Sequence, residues 1–429
     1  MFRDMFIFLR IQFAAILLAG VIAALGQPAH AQTFTVIHTF LGGADGDEPA
    51  YGMTIDPYGT LYGSTFEGDA GTGTIFRLRY RNNVWQLNPL YLFTGGPQSP
   101  GAIPYSGVVL GPGGVLFGTT AFGGEGNCST WGGTLGCGTV FKLQPPLSIC
   151  VNAECYWLET RLSEFNGATG GATPYGGIPI FDQAGNMYGT AYGGGNENCG
   201  GGCGLVYELS PSNGGWTETV LYSFNGGTGD GASPWAGVVF DSAGNLYGTT
   251  EFGGAYGYGT IYELSPSNGS WTEKILYNFA GQQDGGWPYA GLVFDHSGNL
   301  YGATTVGGNG AGGTLFELSP NGSNWNYQAI CSWVRQPGEL AGGPVATPVM
   351  DSAGNLYGAT GGDGAYGFGE VFKATNSGGT WTCTPLYNFT GGNDGRLPRS
   401  NLVLDSSGNL YGTAAGGANN YGVTYEVTP

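Results

Sequence analysis

The sequence predicts an all-β fold assembled from a repeated unit. Glycine and proline account for 86 and 23 of the 429 residues, and only 10% of the residues are charged. A chain so rich in glycine could be disordered, but aromatic residues make up 14% and hydrophobic residues 41% of it, more apolar surface than disordered chains carry. No Gly-X-Y triplet runs through the chain, which excludes collagen. Glycine therefore supplies the positive φ angles of tight hairpin turns.

One four-residue phrase, best represented by Asn245-Leu246-Tyr247-Gly248, occurs seven times. The seven copies are 60–63, 115–118, 186–189, 245–248, 299–302, 355–358 and 409–412. Their glycines are 55, 71, 59, 54, 56 and 54 residues apart, and the longest interval marks insertions in the second and third units. A period of this length is typical of proteins in which each repeat is one supersecondary structure.

The unit from Pro234 to Phe279 contains four apolar runs separated by turn residues, the pattern of four short β-strands. The four runs are 235–240, 246–250, 260–264 and 271–279. A turn at 241–244 follows the first run, and a glycine-rich loop at 253–259 follows the second. Four short antiparallel strands per unit describe a propeller blade. The sequence therefore predicts a seven-bladed β-propeller with four-stranded blades.

The two ends of the chain predict how the ring closes. The seventh unit stops after its third strand, 422–427, and has no fourth strand. Near the other end, Phe34–Phe40 has the fourth-strand pattern of Val220–Phe224. An N-terminal strand that completes the last blade would remove the open edge of the ring.

Residues 1–31 have the pattern of an export signal. Arg3 and Arg10 accompany an apolar stretch at 13–25, and Ala29-His30-Ala31 provides a small-x-small cleavage site. The apolar stretch is short for a membrane span, and no other segment is apolar enough to cross a bilayer. We expect a secreted, periplasmic or cell-surface protein, monomeric, in which 32–429 forms a single propeller domain.

The chain without its first 31 residues has 10 basic and 29 acidic residues, a net charge of −19. Such a surface repels phosphate backbones and anionic lipids. We therefore expect no binding to nucleic acid and no insertion into membranes after signal cleavage.

All eight cysteines follow the signal segment, and six of them form close pairs in the sequence. Because export favours disulfides, we expect Cys128 to pair with Cys137, Cys150 with Cys155, and Cys199 with Cys203. A zinc site is the alternative, but neither CxxC pairs nor accompanying histidines are present. The pairing of Cys331 and Cys383 stays open, since they occupy non-equivalent places in different units.

The units, with their Asp-x-x-Gly-Asn-Leu-Tyr-Gly-Thr-Thr cores and following Gly-Gly loops, resemble the GloVer tandem repeat of exported bacterial proteins. The resemblance covers nearly the whole of 32–429 and implies propeller-like repeats, but the family has no established activity to carry over. Its members often have a C-terminal sorting or anchoring segment. This chain departs from that pattern, because it ends at Pro429, directly after the last predicted strand, and both surface retention and release stay open.

An aspartate ends the first strand in six of the seven units, and Gly111 takes its place in the second. The side chain of such an aspartate can accept hydrogen bonds from the amides of its own turn. A ring of ligand-binding carboxylates is the functional alternative. Six identical uses favour the structural interpretation for Asp56, Asp182, Asp241, Asp295, Asp351 and Asp405.

A second set of acids lies in the predicted connections between blades, as Asp-Gly pairs at Asp45, Asp230, Asp284 and Asp394. These connections should share one face with the Gly-Gly loops. Oxygen ligands clustered there could hold calcium, the one cofactor that the sequence suggests, and the richest group is Asp45, Asp47 and Glu48. Asp-Gly is also a common turn pair, so a purely structural role stays open.

An aromatic residue follows the proline that opens the first strand in units 2 to 5: Tyr105, Tyr175, Trp235 and Tyr289. Units 1, 6 and 7 have Ala50, Val345 and Arg399 there. We expect one aromatic arc at the mouth of the central channel, where rings beside Asp230 and Asp284 could bind a sugar. Alternatively, the rings fill the wedge between adjacent blades. The tryptophans at the start of the fourth strands are interpreted as packing residues.

Catalytic patterns are sparse, with no nucleophile elbow, HExxH or phosphate loop. Beyond the signal segment only His38 and His296 remain. The leading hypothesis is therefore an exported, non-enzymatic binding or scaffold propeller that recognises a glycan or a surface protein through its loop face. The rival is a carbohydrate-active hydrolase or lyase that uses carboxylates at the channel mouth.

Overall fold

Seven four-stranded antiparallel sheets form the blades of a closed ring. The computed structural model describes residues 32–68, 71–95, 99, 101–130, 133–134, 136–146, 155–335 and 342–429, and the predicted export signal lies outside them. Within these ranges the one helical element is a 3₁₀ turn, Pro112–Gly114, and no helix is long and apolar enough to span a membrane. The seven-bladed propeller predicted from the repeats is confirmed.

The strands follow the order of the units, and each blade takes its strands in chain order from the channel outwards. After β1 (Thr33–Thr39), blade 1 contains β2 (Asp47–Ile55), β3 (Leu61–Glu67), β4 (Thr74–Arg81) and β5 (Val84–Leu92); blade 2 contains β6 (Val109–Leu110), β7 (Leu116–Thr120), the inserted hairpin β8 (Ser129–Thr130) and β9 (Gly133–Thr134), then β10 (Thr139–Gln144) and β11 (Leu158–Glu164); blade 3 contains β12 (Ile180–Phe181), β13 (Met187–Ala191), β14 (Leu205–Ser212) and β15 (Gly215–Ser223).

The remaining strands complete blades 4 to 7 in the same way. Blade 4 contains β17 (Val239–Phe240), β18 (Leu246–Thr250), β20 (Thr260–Ser267) and β21 (Ser270–Asn278), with a separate two-stranded pair β16 (Gly231–Ala232) and β19 (Phe252–Gly253); blade 5 contains β22 (Val293–Phe294), β23 (Leu300–Thr304), β24 (Ala311–Asn321) and β25 (Asn324–Val334); blade 6 contains β26 (Val349–Met350), β27 (Leu356–Thr360), β28 (Glu370–Ser377) and β29 (Thr380–Asn388); blade 7 contains β30 (Val403–Leu404), β31 (Leu410–Ala414) and β32 (Val423–Thr428), completed by β1.

The repeated Tyr-Gly-Thr phrase is explained by contacts of the second strand. Gly248 lies opposite Tyr262 of the third strand, and a Cβ at Gly248 would lie 2.4 Å from the tyrosine hydroxyl oxygen. Glycine is therefore required wherever the buried ring of the third strand crosses the second. The next residue, Thr249, donates its hydroxyl to the carbonyl of Ala290 in the following blade at 2.9 Å. The phrase thus serves both the blade and the seam between blades.

The aspartate at the end of the first strand organises its own turn, as the structural interpretation predicts. In blade 4 one carboxylate oxygen of Asp241 accepts hydrogen bonds from the amides of Ala243 and Asn245, at 2.8 and 2.9 Å. The other oxygen accepts from the Asn245 side chain at 2.8 Å and from the Tyr247 hydroxyl at 3.2 Å. Partial burial raises the pKa of Asp241, but these hydrogen bonds outweigh it and leave the pKa below its usual value.

Blade 2 lacks both partners of this interaction. Gly111 stands where the other units have aspartate, and Phe117 stands where they have the hydroxyl-bearing tyrosine. A Cβ at Gly111 would lie 2.5 Å from the Phe117 ring. The carboxylate and the hydroxyl are therefore absent together, which is expected if they serve each other.

Tryptophans of the outer strands pack across the seams between blades, which confirms the packing interpretation. Trp325 of blade 5 lies against Tyr247 of blade 4 with ring centroids 6.3 Å apart. Trp381 of blade 6 lies against Tyr301 of blade 5 at 5.8 Å. Each of these rings covers the second-strand tyrosine of the preceding blade, so the contact joins neighbouring blades.

The ring closes through the N-terminal strand, as the sequence predicts. β1 pairs antiparallel with β32, from Thr33 opposite Thr428 to Thr39 opposite Val423. The Phe34 ring stacks on Tyr387 of blade 6 with centroids 3.6 Å apart. The closing strand therefore completes blade 7 and packs against the blade before it.

Two of the predicted disulfides are present, Cys128–Cys137 and Cys199–Cys203. Cys155 is also disulfide-bonded, and Cys150, its predicted partner, lies outside the described residues. The structure settles the pairing that the sequence left open, because Cys331 of β25 is bonded to Cys383 of β29. The Cys331–Cys383 bond ties the outer strands of blades 5 and 6 together.

The predicted first strand of blade 4, Trp235–Phe240, is wrong in its extent, since only Val239–Phe240 pairs with the second strand. The preceding carbonyls are used by blade 3 instead. The Trp235 carbonyl accepts from the amide of Gly176 at 3.0 Å, and the Ala236 carbonyl accepts from the Thr190 hydroxyl at 2.9 Å. Close to the axis the chain therefore binds its neighbouring blade before it joins its own sheet.

Candidate functional site: an aromatic cluster and a cleft on the loop face

The loop face is the side of the ring that carries the loops between second and third strands and the connections between blades. Each connection reaches the next blade through a residue followed by proline. Before Pro234, Ser233 adopts φ 57°, and its amide donates to the Cys203 carbonyl at 2.7 Å. Gly204 has φ 83°, and a Cβ there would lie 2.4 Å from Cδ of Pro234. The same left-handed conformation occurs at Glu48, Ile103, Thr173, Ser233, Trp287 and Leu397.

This arrangement brings the four predicted rim aromatics, Tyr105, Tyr175, Trp235 and Tyr289, to one place. Trp235 is stacked between Tyr175 and Tyr289, with centroid distances of 4.8 and 4.9 Å and interplanar angles of 25° and 30°. Tyr105 meets Tyr175 edge-on at 5.1 Å and Trp235 at 6.0 Å. Tyr192 from the loop after β13 contacts Tyr175 at 5.2 Å and Trp235 at 5.6 Å. We call these five residues the aromatic cluster.

The aromatic cluster spans blades 2 to 5. Tyr105 belongs to blade 2 and Trp235 to blade 4, so their contact crosses over blade 3. Trp235 and Tyr289 also line a cavity of about 220 Å³ in the central channel, together with residues of blades 3 to 7. The aromatic cluster thus lies over one end of this cavity.

A buried carboxyl, Glu251, lies against the aromatic cluster and was not found from the sequence. Its side chain is 5% exposed, and one oxygen accepts the Tyr289 hydroxyl at 2.9 Å. The other oxygen is buried without a hydrogen-bond partner in the described part of the chain. Burial raises the pKa of Glu251, and hydrogen bonds from Tyr289 and Tyr192 only partly oppose this effect.

The signal that could have revealed Glu251 is its position in the repeat. It lies three residues after the glycine of the repeated phrase, where the other units have Phe66, Ala121, Tyr192, Thr305, Gly361 and Ala415. Blade 4 alone has an acid at this position. A single departure from an otherwise non-acidic set is a stronger functional signal than an acid repeated in every unit.

A cleft of about 740 Å³ opens on the loop face beside the aromatic cluster, between blades 2 and 4. Tyr175 and Tyr192 of the cluster form part of its wall. The other described lining residues are Phe122, Asn127, Cys128, Gly167, Ala172, Thr173, Gly193, Cys199, Gly200, Gly201, Gly202, Ala232, Ser233 and Phe252. We call it the loop-face cleft. The disulfides at Cys128 and Cys199 fix the loops on two of its sides.

The predicted acidic residues of the connections are engaged within their own loops. Asp230 is 6% exposed and accepts the Tyr222 hydroxyl at 2.9 Å and the Asn225 amide at 2.8 Å. Asp284 accepts the Tyr277 hydroxyl at 3.1 Å and the Ala280 amide at 2.8 Å. Neither residue lines the loop-face cleft or the channel cavity.

The predicted calcium ligands lie in the connection between β1 and β2 or at the start of β2: Asp45, Asp47 and Glu48. Asp45 accepts the amide of Leu41 at 2.9 Å and lies 3.3 Å from the ring nitrogen of His38. Burial raises the pKa of Asp45, but the hydrogen bonds from His38 and Leu41 leave it below the usual value. Across the described ranges no three His, Cys, Asp or Glu side chains are grouped as a metal site would require.

Comparison with known proteins defines the family of this chain. The model of the Gloeobacter/Verrucomicrobia repeat family matches residues 20–201 and 128–340. The chain belongs to this family. The resemblance seen in the repeated Leu-Tyr-Gly-Thr units is thereby confirmed. No curated protein matches the sequence of this repeat protein.

Solved structures are similar to this repeat protein over most of its length. A protein from Bacteroides fragilis NCTC 9343, described as a candidate 6-phosphogluconolactonase, is 14% identical; the match covers 90% of this chain and 89% of that one, with a TM-score of 0.50. A similarly described protein from Bacteroides uniformis ATCC 8492 is 15% identical, with 82% and 89% covered and a TM-score of 0.48. At these identities the likeness concerns the fold alone.

Proposed function

We propose that this repeat protein is an exported, non-enzymatic binding protein that takes up a glycan in the loop-face cleft. The observation that supports this function is the cleft itself, whose volume of about 740 Å³ lies within the range of ligand sites. The disulfides support export, because such bonds persist in oxidising compartments.

The lining of the loop-face cleft suits a sugar. Phe122, Tyr175, Tyr192 and Phe252 offer aromatic surface, while side chains such as Thr173 and the backbone of 200–202 offer hydrogen-bonding groups. Sugar rings present both an apolar face and hydroxyl groups, so a site that combines flat rings with neutral polar atoms matches them. None of the described lining residues is Asp, Glu, Lys, Arg or His. The expected ligand is therefore an uncharged glycan.

Two aromatic residues of blade 4 allow a matched test. Phe252 lines the cleft and is 38% exposed, whereas Tyr256 in the same loop is 63% exposed and lies outside the cleft. After a ligand is found on a glycan array, Phe252→Ala should weaken its binding about fivefold or more, the loss of one exposed aromatic contact. Tyr256→Ala should leave binding unchanged. Absence of any glycan ligand, or equal effects of both substitutions, would refute the proposal.

The aromatic cluster requires a separate test, because stacked rings can either bind a ligand or close the channel. Replacing both Trp235 and Tyr289 by alanine removes the central stack. If the cluster itself binds the glycan, affinity falls while the melting temperature changes little. A large drop in melting temperature with unchanged affinity would assign the rings to packing over the channel cavity.

Glu251 favours one alternative function, a carbohydrate-active hydrolase or lyase. A buried carboxyl whose pKa is raised by burial can serve as a general acid. Release of reducing sugar from a bound glycan, lost in Glu251→Gln and kept in the exposed Glu197→Gln control, would support an enzyme. Binding without turnover supports the binding protein. Capture of a surface protein by the loop face, with no glycan bound, would point to a scaffold.

A further inference from the structure

Blade 1 differs from its sister blades on the face opposite the loop face. The turn between β2 and β3 and the hairpin between β4 and β5 lie on this face. Where blade 4 has Ala243 in the turn, blade 1 has Tyr58, and where blade 4 has 265–267 as Ser-Pro-Ser, blade 1 has Arg79-Tyr80-Arg81. Tyr80 pairs with Trp85 as Pro266 pairs with Trp271, so the two segments are structurally equivalent.

These substitutions create an exposed aromatic and basic surface, the blade-1 patch, formed by Tyr58, Arg79, Tyr80 and Arg81. Tyr58 is 93% and Tyr80 58% exposed. An open cavity of about 380 Å³ lies between them, lined by Asp56, residues 58–60 and residues 79–81. Two large exposed rings beside two guanidinium groups make a surface that the equivalent Ser-Pro-Ser segments cannot provide.

The charge of the blade-1 patch is opposite to that of the molecule. The chain has 12 basic residues and a net charge of −18, yet three arginines, Arg77, Arg79 and Arg81, alternate along β4. In the described ranges the ion pairs are His38–Asp45 and Arg161–Glu164, so neither the half-buried Arg79 nor the exposed Arg81 is in one.

The nearest acid to the blade-1 patch is already used by its own turn. One oxygen of Asp56 accepts the amides of Tyr58 and Thr60, at 2.8 and 2.9 Å, and the other accepts the Tyr62 hydroxyl at 3.3 Å. The Arg79 guanidinium also interacts with that hydroxyl. Even with Asp56 counted, the two arginines leave the patch with a net positive charge.

We propose that the blade-1 patch binds an acidic polysaccharide. Its arginines contact the carboxylates of the polysaccharide, and its tyrosines contact the sugar rings. A guanidinium group matches a carboxylate through paired hydrogen bonds, and tyrosine rings supply rigid contact surface at a low entropic cost. A sugar ring that carries a carboxylate uses both features at once. This site is independent of the loop-face cleft.

The test is affinity electrophoresis of the full protein in gels containing polygalacturonate, its fully methyl-esterified form, or no polymer. We expect retardation by the acid form and not by the ester. Replacing Arg79, Tyr80 and Arg81 together by serine, proline and serine copies blade 4 and should reduce the affinity about tenfold or more, since two charge-assisted contacts are lost. The melting temperature of this triple variant should stay close to that of the parent protein.

Single substitutions separate a site from general electrostatics. Arg81→Ser and Lys274→Ser each remove one exposed positive charge, the second on the outer strand of blade 4. We expect weaker binding only for Arg81→Ser. If the triple variant unfolds, the comparison of Arg81→Ser with Lys274→Ser still tests whether the patch is a specific site. Tyr58→Ala should also weaken binding, whereas Phe252→Ala in the loop-face cleft should not.

Several results would overturn the proposal. Equal retardation by the acid and the ester would remove the role of the carboxylate, and equal effects of Arg81→Ser and Lys274→Ser would reduce binding to net charge. Binding of polyglutamate or DNA in preference to polygalacturonate would identify a different class of partner.

Discussion

Replacing Glu273 by glutamine is expected to stabilise the protein above pH 7 and to change little near pH 4. Glu273 lies on β21, and one of its oxygens is buried without a hydrogen-bond partner in the described ranges. Burial raises the pKa of Glu273 from 4.5 to about 7, and the charge of Asp230 adds to the effect. The side chain thus keeps its proton in the folded protein at a pH where the unfolded chain has lost it.

The direction and size of the effect follow from this difference. Between pH 4.5 and 7 the folded state binds more protons than the unfolded state, so the free energy of unfolding falls as pH rises. A shift from 4.5 to about 7 corresponds at most to about 3 kcal/mol at 1.36 kcal/mol per unit, and partial exposure reduces it to about 2 kcal/mol. Glutamine does not ionise, so the free energy of unfolding of the variant does not fall through this group as pH rises.

Urea unfolding at pH 4 and pH 8, followed by tryptophan fluorescence, measures the effect. Glu273→Gln should match the parent at pH 4 and exceed it by about 2 kcal/mol at pH 8. Glu197→Gln, at an exposed position, is the control and should differ at neither pH. An equal gain at both pH values would refute the reasoning, because the effect would not depend on ionisation. A loss at pH 8 would also refute it and would indicate that the ionised carboxylate is stabilised by an interaction.

Three further substitutions test the packing. Tyr425→Phe should raise stability by about 1 kcal/mol in urea unfolding, because its fully buried hydroxyl has no partner in the described ranges; a loss would reveal a hydrogen bond. Gly248→Ala should cost about 3 kcal/mol or prevent folding, because the new methyl group meets the Tyr262 ring; an unchanged midpoint would contradict this. Cys383→Ser should lower stability by about 2–4 kcal/mol through loss of the bond to Cys331, a difference that a reducing agent should abolish.

The architecture could be predicted because each unit carries its own local signals. The turn that begins at Asp241 and the glycine opposite Tyr262 both act within one blade. The closing strand could be found because its pattern is a copy of strands elsewhere in the chain. The extent of the first strand could not be predicted, since the carbonyls of Trp235 and Ala236 accept hydrogen bonds from the neighbouring blade, which no local pattern encodes.

The candidate sites were predicted less completely. The sequence identified Tyr105, Tyr175, Trp235 and Tyr289 as residues of one arc, but whether they point at a ligand or at each other depends on the distances across the ring. Glu251 escaped notice because its importance depends on burial beside the cluster. A comparison of each position across all seven units distinguishes Glu251 from its counterparts. The same comparison reveals the blade-1 patch.

The repeats are enough to predict the blades, their number and the closure of the ring, because hairpin turns, strand patterns and small residues opposite buried rings are all local. Which side chains meet around the axis and between distant strands depends on the folded ring. Tyr105 reaches Trp235, and Cys331 reaches Cys383, although other parts of the repeat separate them in the chain. Closing seven blades into a ring fixes these contacts, because it brings residues of different units to the same radius and height.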